Sequence, residues 1–273
     1  MAKSFTYGGV DMADYNVQVV EFDVPEMATI PLKTHAAIYG DSAFTSTNHT
    51  IREIKLKLSV GGTSETDMYS NIDALKGALN PILADKVLSI DAIPNRRFLG
   101  RTKAISQPSV KGRWVRVFDV SIVTLAHTQA SAEVTSSGAL ATSPDTVTIS
   151  AVAGNVSRTP AEFYLRNTTG AAITSGTITL ENETTNETII WKGTIPNGYW
   201  LRFGTLNDNG THKSTIQMST TGGADPSILL YANAEVGYQS GDWTRLKGGV
   251  DNDITVTGIT TGTLLWVYRG RYL

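Results

Sequence analysis

The 273-residue chain contains no cysteine, which excludes disulfides, zinc ribbons, thiol nucleophiles and iron–sulfur ligation together. Charge is sparse and nearly balanced. Charged residues make up 18%, with 23 basic against 25 acidic, a formal net charge of -2, and no tract of one sign. A duplex groove binder needs a concentrated positive face to release phosphate counterions, so no sequence-specific nucleic-acid binding is expected. No apolar run approaches the roughly 20 residues that cross a bilayer, and no membrane insertion is expected either. Met1 to Tyr15 alternates polar and aromatic residues without a secretory apolar stretch, which predicts synthesis in a cytoplasm. The six Asn-x-Ser/Thr matches, at Asn48, Asn155, Asn167, Asn182, Asn186 and Asn209, are then chance products of a Thr-rich chain.

Enzyme signatures are equally scarce. Histidines stand at 35, 49, 127 and 212, none four residues from another, so no metal-ligand spacing appears. No Gly-x-Ser-x-Gly elbow occurs. Gly204 and Gly210 ahead of Lys213-Ser214 imitate a phosphate loop, but the glycines are one residue too far apart and Thr211-His212 intervene. Asp251-Asn-Asp253 and Asp208-Asn209 offer oxygen ligands without the spaced carboxylates of a calcium loop, and read as turns.

What is present is apolar character: 41% of residues are hydrophobic, enough for one large core or two modest ones. Composition changes near residue 128, where small polar residues run to Pro144. This predicts a first domain at 1–127, a linker or exposed connection at 128–145 and a second domain at 146–273. The two halves carry 14 basic and 13 acidic residues up to His127, and 9 and 12 afterwards.

In the first half, Phe5–Val10 and Val17–Asp23 read as paired strands about the turn-prone Asp11–Asp14. Ile51–Val60 alternates, with Ile54, Leu56, Leu58 and Val60 on one face. The period then switches. Met68, Ile72, Leu75, Leu79 and Ile82 recur at four, three, four and three residues, a helical stripe capped by Ser64-Glu-Thr-Asp67 and ended by Pro81. Strands resume at Val87–Ile93, Arg97–Ser106 and Arg113–Leu125. Between Asp23 and Ile51 lies a connection longer than the roughly 12 to 15 residues usual in compact domains; it is either a surface loop or a segment that adds strands to a neighbouring sheet.

The second half reads as strand and turn throughout: Thr146–Ala151, Glu162–Asn167, Thr177–Glu181, Thr188–Lys192, Tyr199–Gly204, Lys213–Met218, Ser227–Ala232 and Gly262–Arg269. Turn chemistry separates them at Asn167-Thr-Thr-Gly170, Pro196-Asn-Gly198 and Asn207-Asp-Asn-Gly210. The predicted fold is mainly β: an α+β first domain with one helix on an antiparallel sheet, followed by an antiparallel β-sandwich.

Three clusters could carry chemistry. Glu181, Glu183 and Glu187 could serve glycoside hydrolysis, but they flank an expected solvated hairpin tip, where nothing raises a carboxyl pKa. Arg96, Arg97, Arg101, Lys103, Lys111, Arg113 and Arg116 concentrate positive charge on two strands, a solvated face or a nucleic-acid site. Trp191, Trp200, Trp243 and Trp266, with Tyr164, Tyr199, Tyr231, Tyr238, Tyr268 and Tyr272, could stack on sugars or fill the space between sheets.

The first half also resembles a known family. Phe5-Thr-Tyr-Gly-Gly-Val-Asp-Met-Ala-Asp-Tyr15, the strand Val17–Asp23 ending near Pro25, the basic-alternating Ile51–Gly61, the helical Ile72-Asp-Ala-Leu-Lys76 and the return Arg96-Arg-Phe-Leu-Gly-Arg101 resemble the distal tail protein (Dit) family of long-tailed, non-contractile bacteriophages. Where that family often ends its first domain on an Asp-Pro-Phe-like motif, this chain has Leu125-Ala-His127. The resemblance implies a structural virion protein of a siphophage tail tip, without enzymatic activity. It implies a hexameric ring between the tail tube protein and the tail-tip hub, with a channel for DNA. The N-terminal domain would build the ring, and the C-terminal sandwich would hold a receptor-binding protein or a host glycan. The alternative is a carbohydrate-binding β-sandwich module of a phage tail or receptor-binding apparatus; a tail-associated glycan hydrolase is the third reading. No catalytic, cofactor-binding or metal-binding residue is assigned, and no cofactor is expected. Residues 24–50 are the expected reach toward a neighbouring subunit.

Overall fold

The computed structural model describes residues 3–25, 34–36, 42–44, 52–80, 82, 85–125, 128–156, 158–206, 212–219, 230–231, 240–241 and 245–272. Two units emerge, Met1–Ser131 and Ala132–Tyr272, each with its own apolar core.

The first unit is built from β1 (Phe5–Tyr7), β2 (Val17–Asp23), β3 (Arg52–Gly61), α1 (Glu65–Ala78), β4 (Lys86–Ile90), β5 (Arg96–Ile105), β6 (Ser109–Gly112) and β7 (Val115–Thr124). Its sheet runs β1-β4-β5-β7-β3-β2, antiparallel throughout. The period-two reading of β3 holds, for Ile54, Leu56, Leu58 and Val60 are all buried. They meet Phe118, Val120 and Ile122 of β7, strand to strand in register Leu58↔Phe118, Leu56↔Val120 and Ile54↔Ile122. Arg52 prolongs the same buried face, and burial lowers its guanidinium pKa from the ordinary value.

One expected pairing is wrong. Phe5–Tyr7 does not form a hairpin with Val17–Asp23; it pairs with β4 and with Val10–Asp11, while Met12–Tyr15 winds into a short 3-10 helix. The left-handed Asn16 ends that turn and sends β2 to the far side of β3. Lys3 nevertheless reaches Val19, whose N–H donates to the Lys3 carbonyl at 2.8 Å. The N-terminal run therefore bridges the two flanks of the sheet, which curls around its core.

The helix forms as its stripe predicts. Ser64 caps it by accepting the Asp67 N–H at 3.1 Å, and Asp67 in turn accepts from Thr63, N–H at 2.7 Å and hydroxyl at 3.0 Å. Met68, Ile72, Leu75 and Leu79 are buried against the sheet. Ile82, the last member of the predicted stripe, is instead 88% exposed, because the helix stops at Ala78. Pro81 lies outside the described residues. Close approach fixes Gly100 on β5: a Cβ there would come within 2.6 Å of both Thr124 Cγ2 and the Val123 carbonyl.

The second unit holds β8 (Val134–Leu140), β9 (Asp145–Ile149), β10 (Thr159–Asn167), β11 (Ile173–Asn182), β12 (Glu187–Ile195), β13 (Trp200–Leu206), β14 (His212–Ser219), β15 (Asn252–Thr257) and β16 (Gly262–Tyr268). They make two antiparallel sheets. One runs β8-β16-β10-β13-β14 and the other β9-β15-β11-β12. Phe163, Leu165, Leu201, Phe203, Leu264 and Trp266 of the first sheet share a core with Ile178, Leu180, Ile189, Trp191, Ile254 and Val256 of the second. This is the sandwich arrangement that the strand spacing predicts.

Two sequence readings are corrected here. The exposed connection at 128–145 holds an edge strand: β8 pairs with β16 along its whole length, from Val134↔Tyr268 to Leu140↔Gly262. Its small residues suit close packing, since a Cβ on Gly138 would strike Val147. Asp251-Asn-Asp253 is likewise no isolated turn, because Asn252 opens β15 fully buried. Its side chain holds Lys247 through both N–H and carbonyl, at 2.8 and 2.9 Å, and accepts from Asn182 at 3.0 Å.

Candidate assembly surfaces

Sheet edges carry the first unit's unsatisfied chemistry. An antiparallel strand at a border points alternate N–H and carbonyl groups outward, and these invite another chain. Two of the sheet's borders carry a well-exposed aliphatic side chain. The first is the outer flank of Val20–Asp23, beyond the single Lys3 bridge. Val20 is 51% exposed, and Glu21 and Asp23 are exposed beside it. Lys57 approaches Glu21 only to 3.9 Å. Over the adjoining face of β2, β3 and β7 runs a trough of about 550 Å³ lined by Glu21, Asp23, Lys55, Lys57, Ser106 and Asp119, among others.

The second border is β6. It pairs with β7 alone, and Val115–Val117 of β7 pairs on its other side with Ser59–Gly61 of β3, so β6 is an arm of the sheet with one open flank. Val110 on this arm is 74% exposed, and Lys111 and Arg113 are exposed next to it. The turn itself is stiffened: Arg116 Nη1 donates to the Gly112 and Val115 carbonyls at 3.2 and 3.1 Å. Arg113 lies over the Trp114 ring, 4.8 Å from its centre.

The seven-cation cluster read from the sequence does not form one face. Arg101 pairs with Asp85 and Lys103 with Glu53, each at 2.9 Å. Glu53 also accepts from the Ser121 hydroxyl, and these bonds hold its carboxyl below the ordinary pKa. Arg97 is buried and donates to Gln129 at 3.0 Å. Of the seven, Lys111 and Arg113 stand exposed at a border with no carboxylate partner among the described residues.

Of residues 24–50, the described part includes a small two-stranded ladder, Thr34–Ala36 with Ser42–Phe44, in register His35↔Ala43. The rest of the expected reach lies outside the described residues, apart from Val24 and Pro25.

In the second unit the aromatic residues divide. Trp191, Trp266, Tyr164 and Tyr268 are buried, three of them in the shared core. Trp200, Tyr199 and Tyr272 are half-buried, with Arg166 over the Trp200 ring at 5.6 Å. Trp243, Tyr238 and the Tyr231 side chain lie outside the described residues. The fourth buried ring, Tyr164, belongs to a polar cluster invisible in the sequence. Glu162 and Arg202 pair at 2.6 Å with side chains only 5% and 8% exposed. The Tyr164 hydroxyl donates to Glu162, and burial with that carboxylate pushes its pKa upward. These residues alternate with core Phe163, Leu165 and Phe203, so period two alone would have placed them in water.

The Glu181–Glu187 segment is a further correction. The tip is not uniformly solvated: Asn182 and Glu187 are buried. Glu187 accepts the Arg245 N–H at 2.8 Å and lies 3.5 Å from Arg158, while Glu183 accepts from Thr255. Glu183 and Glu187 thus hold the hairpin to its neighbours.

No protein-family model matches this sequence, and no curated protein sequence does. Solved structures match along the whole chain. The crystal structure of SPP1 Dit (gp 19.1), described as a paradigm of the hub adsorption apparatus in Gram-positive infecting phages, has a TM-score of 0.68 at 16% identity, over 98% of this chain and 99% of that one. A chain of the phage P2 baseplate in its activated conformation with calcium gives 0.49 at 10% identity, over 99% and 98%. The strontium form of that baseplate also gives 0.49 at 10%, over 98% of each chain. The chain has a Dit-like fold from end to end.

Proposed function

We propose that this protein is a structural component of a bacteriophage tail tip, a distal tail protein of a siphophage. It works by shape and self-association and catalyses no reaction. The observation that carries this reading is the correspondence of both units, in order and over 98% of the chain, with SPP1 Dit. A shared sandwich alone would say little, since that architecture hosts many functions. The pairing of a curled, helix-bearing sheet with a following sandwich is far more restrictive.

In this reading the first unit, Met1–Ser131, forms a closed ring of six copies. The ring joins the tail tube to the tail-tip hub around an opening for DNA. The second unit carries the host-recognition parts. Support comes from two open borders of the first sheet that differ from each other: a chain with two unlike sticky edges associates head to tail, and such contacts close into rings when the rotation permits.

Sedimentation and native mass measurement of the purified chain, with negative-stain imaging, test the proposal. Hollow particles of six chain masses are expected, alone or with the tube and hub proteins added. A chain that stays monomeric with those partners, and that binds a glycan array instead, contradicts it.

A further inference from the structure

We infer that the contact between successive copies is formed by the two unlike borders: β6 of one copy against Val20–Asp23 of the next. This inference rests on the oligomeric reading above and names the surface that reading needs. The two borders match in three respects. Each presents a strand flank that is free among the described residues, so one can extend the other's sheet through backbone hydrogen bonds. Each carries one solvent-exposed aliphatic side chain, Val110 and Val20, which such an addition would cover. Their charges are opposite: Lys111 and Arg113 on the arm, Glu21 and Asp23 on the other border.

The charges are also available. Lys111 and Arg113 have no carboxylate partner among the described residues, and Glu21 has only the 3.9 Å approach of Lys57. Glu21, Asp23 and Asp119 line the trough over β2, β3 and β7 against Lys55 and Lys57, so carboxylates outnumber cations there. The occupant is a second copy of this chain, because both halves of the match lie on the same domain. The competing reading is that Lys111 merely guards an exposed edge against unwanted pairing; in that case reversing its charge leaves assembly unchanged.

Charge exchange separates these readings in the full chain. The variants Lys111→Glu with Arg113→Glu, and Glu21→Lys with Asp23→Lys, should each raise the concentration for half-assembly at least tenfold. Circular dichroism should remain that of the wild type, and the thermal midpoint that of the wild type diluted below its own assembly concentration. All four substitutions together should restore closed particles, because every contact again joins opposite charges. If these changes lower the midpoint through repulsion from Lys57 and Lys55, which lie opposite them on β3, Glu21→Gln with Asp23→Asn serves as that arm. Wild-type assembly by either reversed variant, or a fourfold variant that stays monomeric, overturns the inference while leaving the ring reading intact. A wild-type chain that forms no closed particle, with or without its tail partners, overturns both.

Discussion

Leu75 is fully buried on α1, within the cluster that also holds Phe5, Met12 and Leu58. Its truncation therefore measures how firmly the helix is tied to the sheet. Leu75→Ala removes three carbon atoms from the core, worth about 2.4 kcal/mol at about 0.8 kcal/mol per buried methylene. If about 50 Å³ stays unfilled, the cavity adds about 1 kcal/mol at about 24 cal/mol per Å³. The better helix propensity of alanine offsets only about 0.2 kcal/mol. The expected loss is about 3 kcal/mol, which lowers a urea midpoint by about 1.5 M when the slope is about 2 kcal/mol/M. Two units share one chain, so a single global transition cannot be assumed. Peptide-resolved hydrogen exchange across a urea titration reads them apart: peptides from β3 and β7 should report the shift, and peptides from β12 should not. Tyr69→Ala, at a half-exposed position on the other side of the same helix, should change stability by less than about 0.5 kcal/mol. A comparably small effect of Leu75→Ala, or a shift in the second unit's peptides, would refute the packing argument.

Two other perturbations probe polar features. Glu162→Gln should destabilise the sandwich by about 3 to 5 kcal/mol, because it strands the buried Arg202 guanidinium; replacing both residues with methionine should recover most of the loss, as measured by urea unfolding. Asp67 has a pKa lowered chiefly by the Thr63 N–H and then by the Thr63 hydroxyl. Its folded value lies below the unfolded one, so its stabilising contribution is present above about pH 4 and disappears as pH falls through the folded value. The acid limb of the wild-type thermal midpoint should flatten in Asp67→Asn, and an unaltered limb would contradict this assignment.

Local periodicity made much of this fold legible. The alternation of Ile54 to Val60 and the stripe Met68 to Leu79 are short-range signals, and both appear as read. Pairing is not short-range. Phe5–Tyr7 and Val17–Asp23 looked like a hairpin because they are neighbours in sequence, yet β1 finds its partner some eighty residues later in β4. Val134–Leu140 was hidden for another reason: an edge strand of Ser, Thr, Gly and Ala shares its composition with a linker, and only the adjacent β16 distinguishes them. The buried Glu162, Arg202 and Glu187 escaped because charge ordinarily marks solvent. Of the assembly surface, the cations were visible as a run, but their division into five engaged by carboxylates or carbonyls and two with neither among the described residues depends on groups brought in by other strands and turns.

The central claim is that two compact units of Dit-like fold act as one repeating part of a closed ring, and particle mass tests it most directly. Native mass measurement of the chain, alone and mixed with tube and hub proteins, should give a single closed species of six copies that images as an annulus. A stable monomer under every one of these conditions, or an open-ended distribution of chain numbers, would contradict the account.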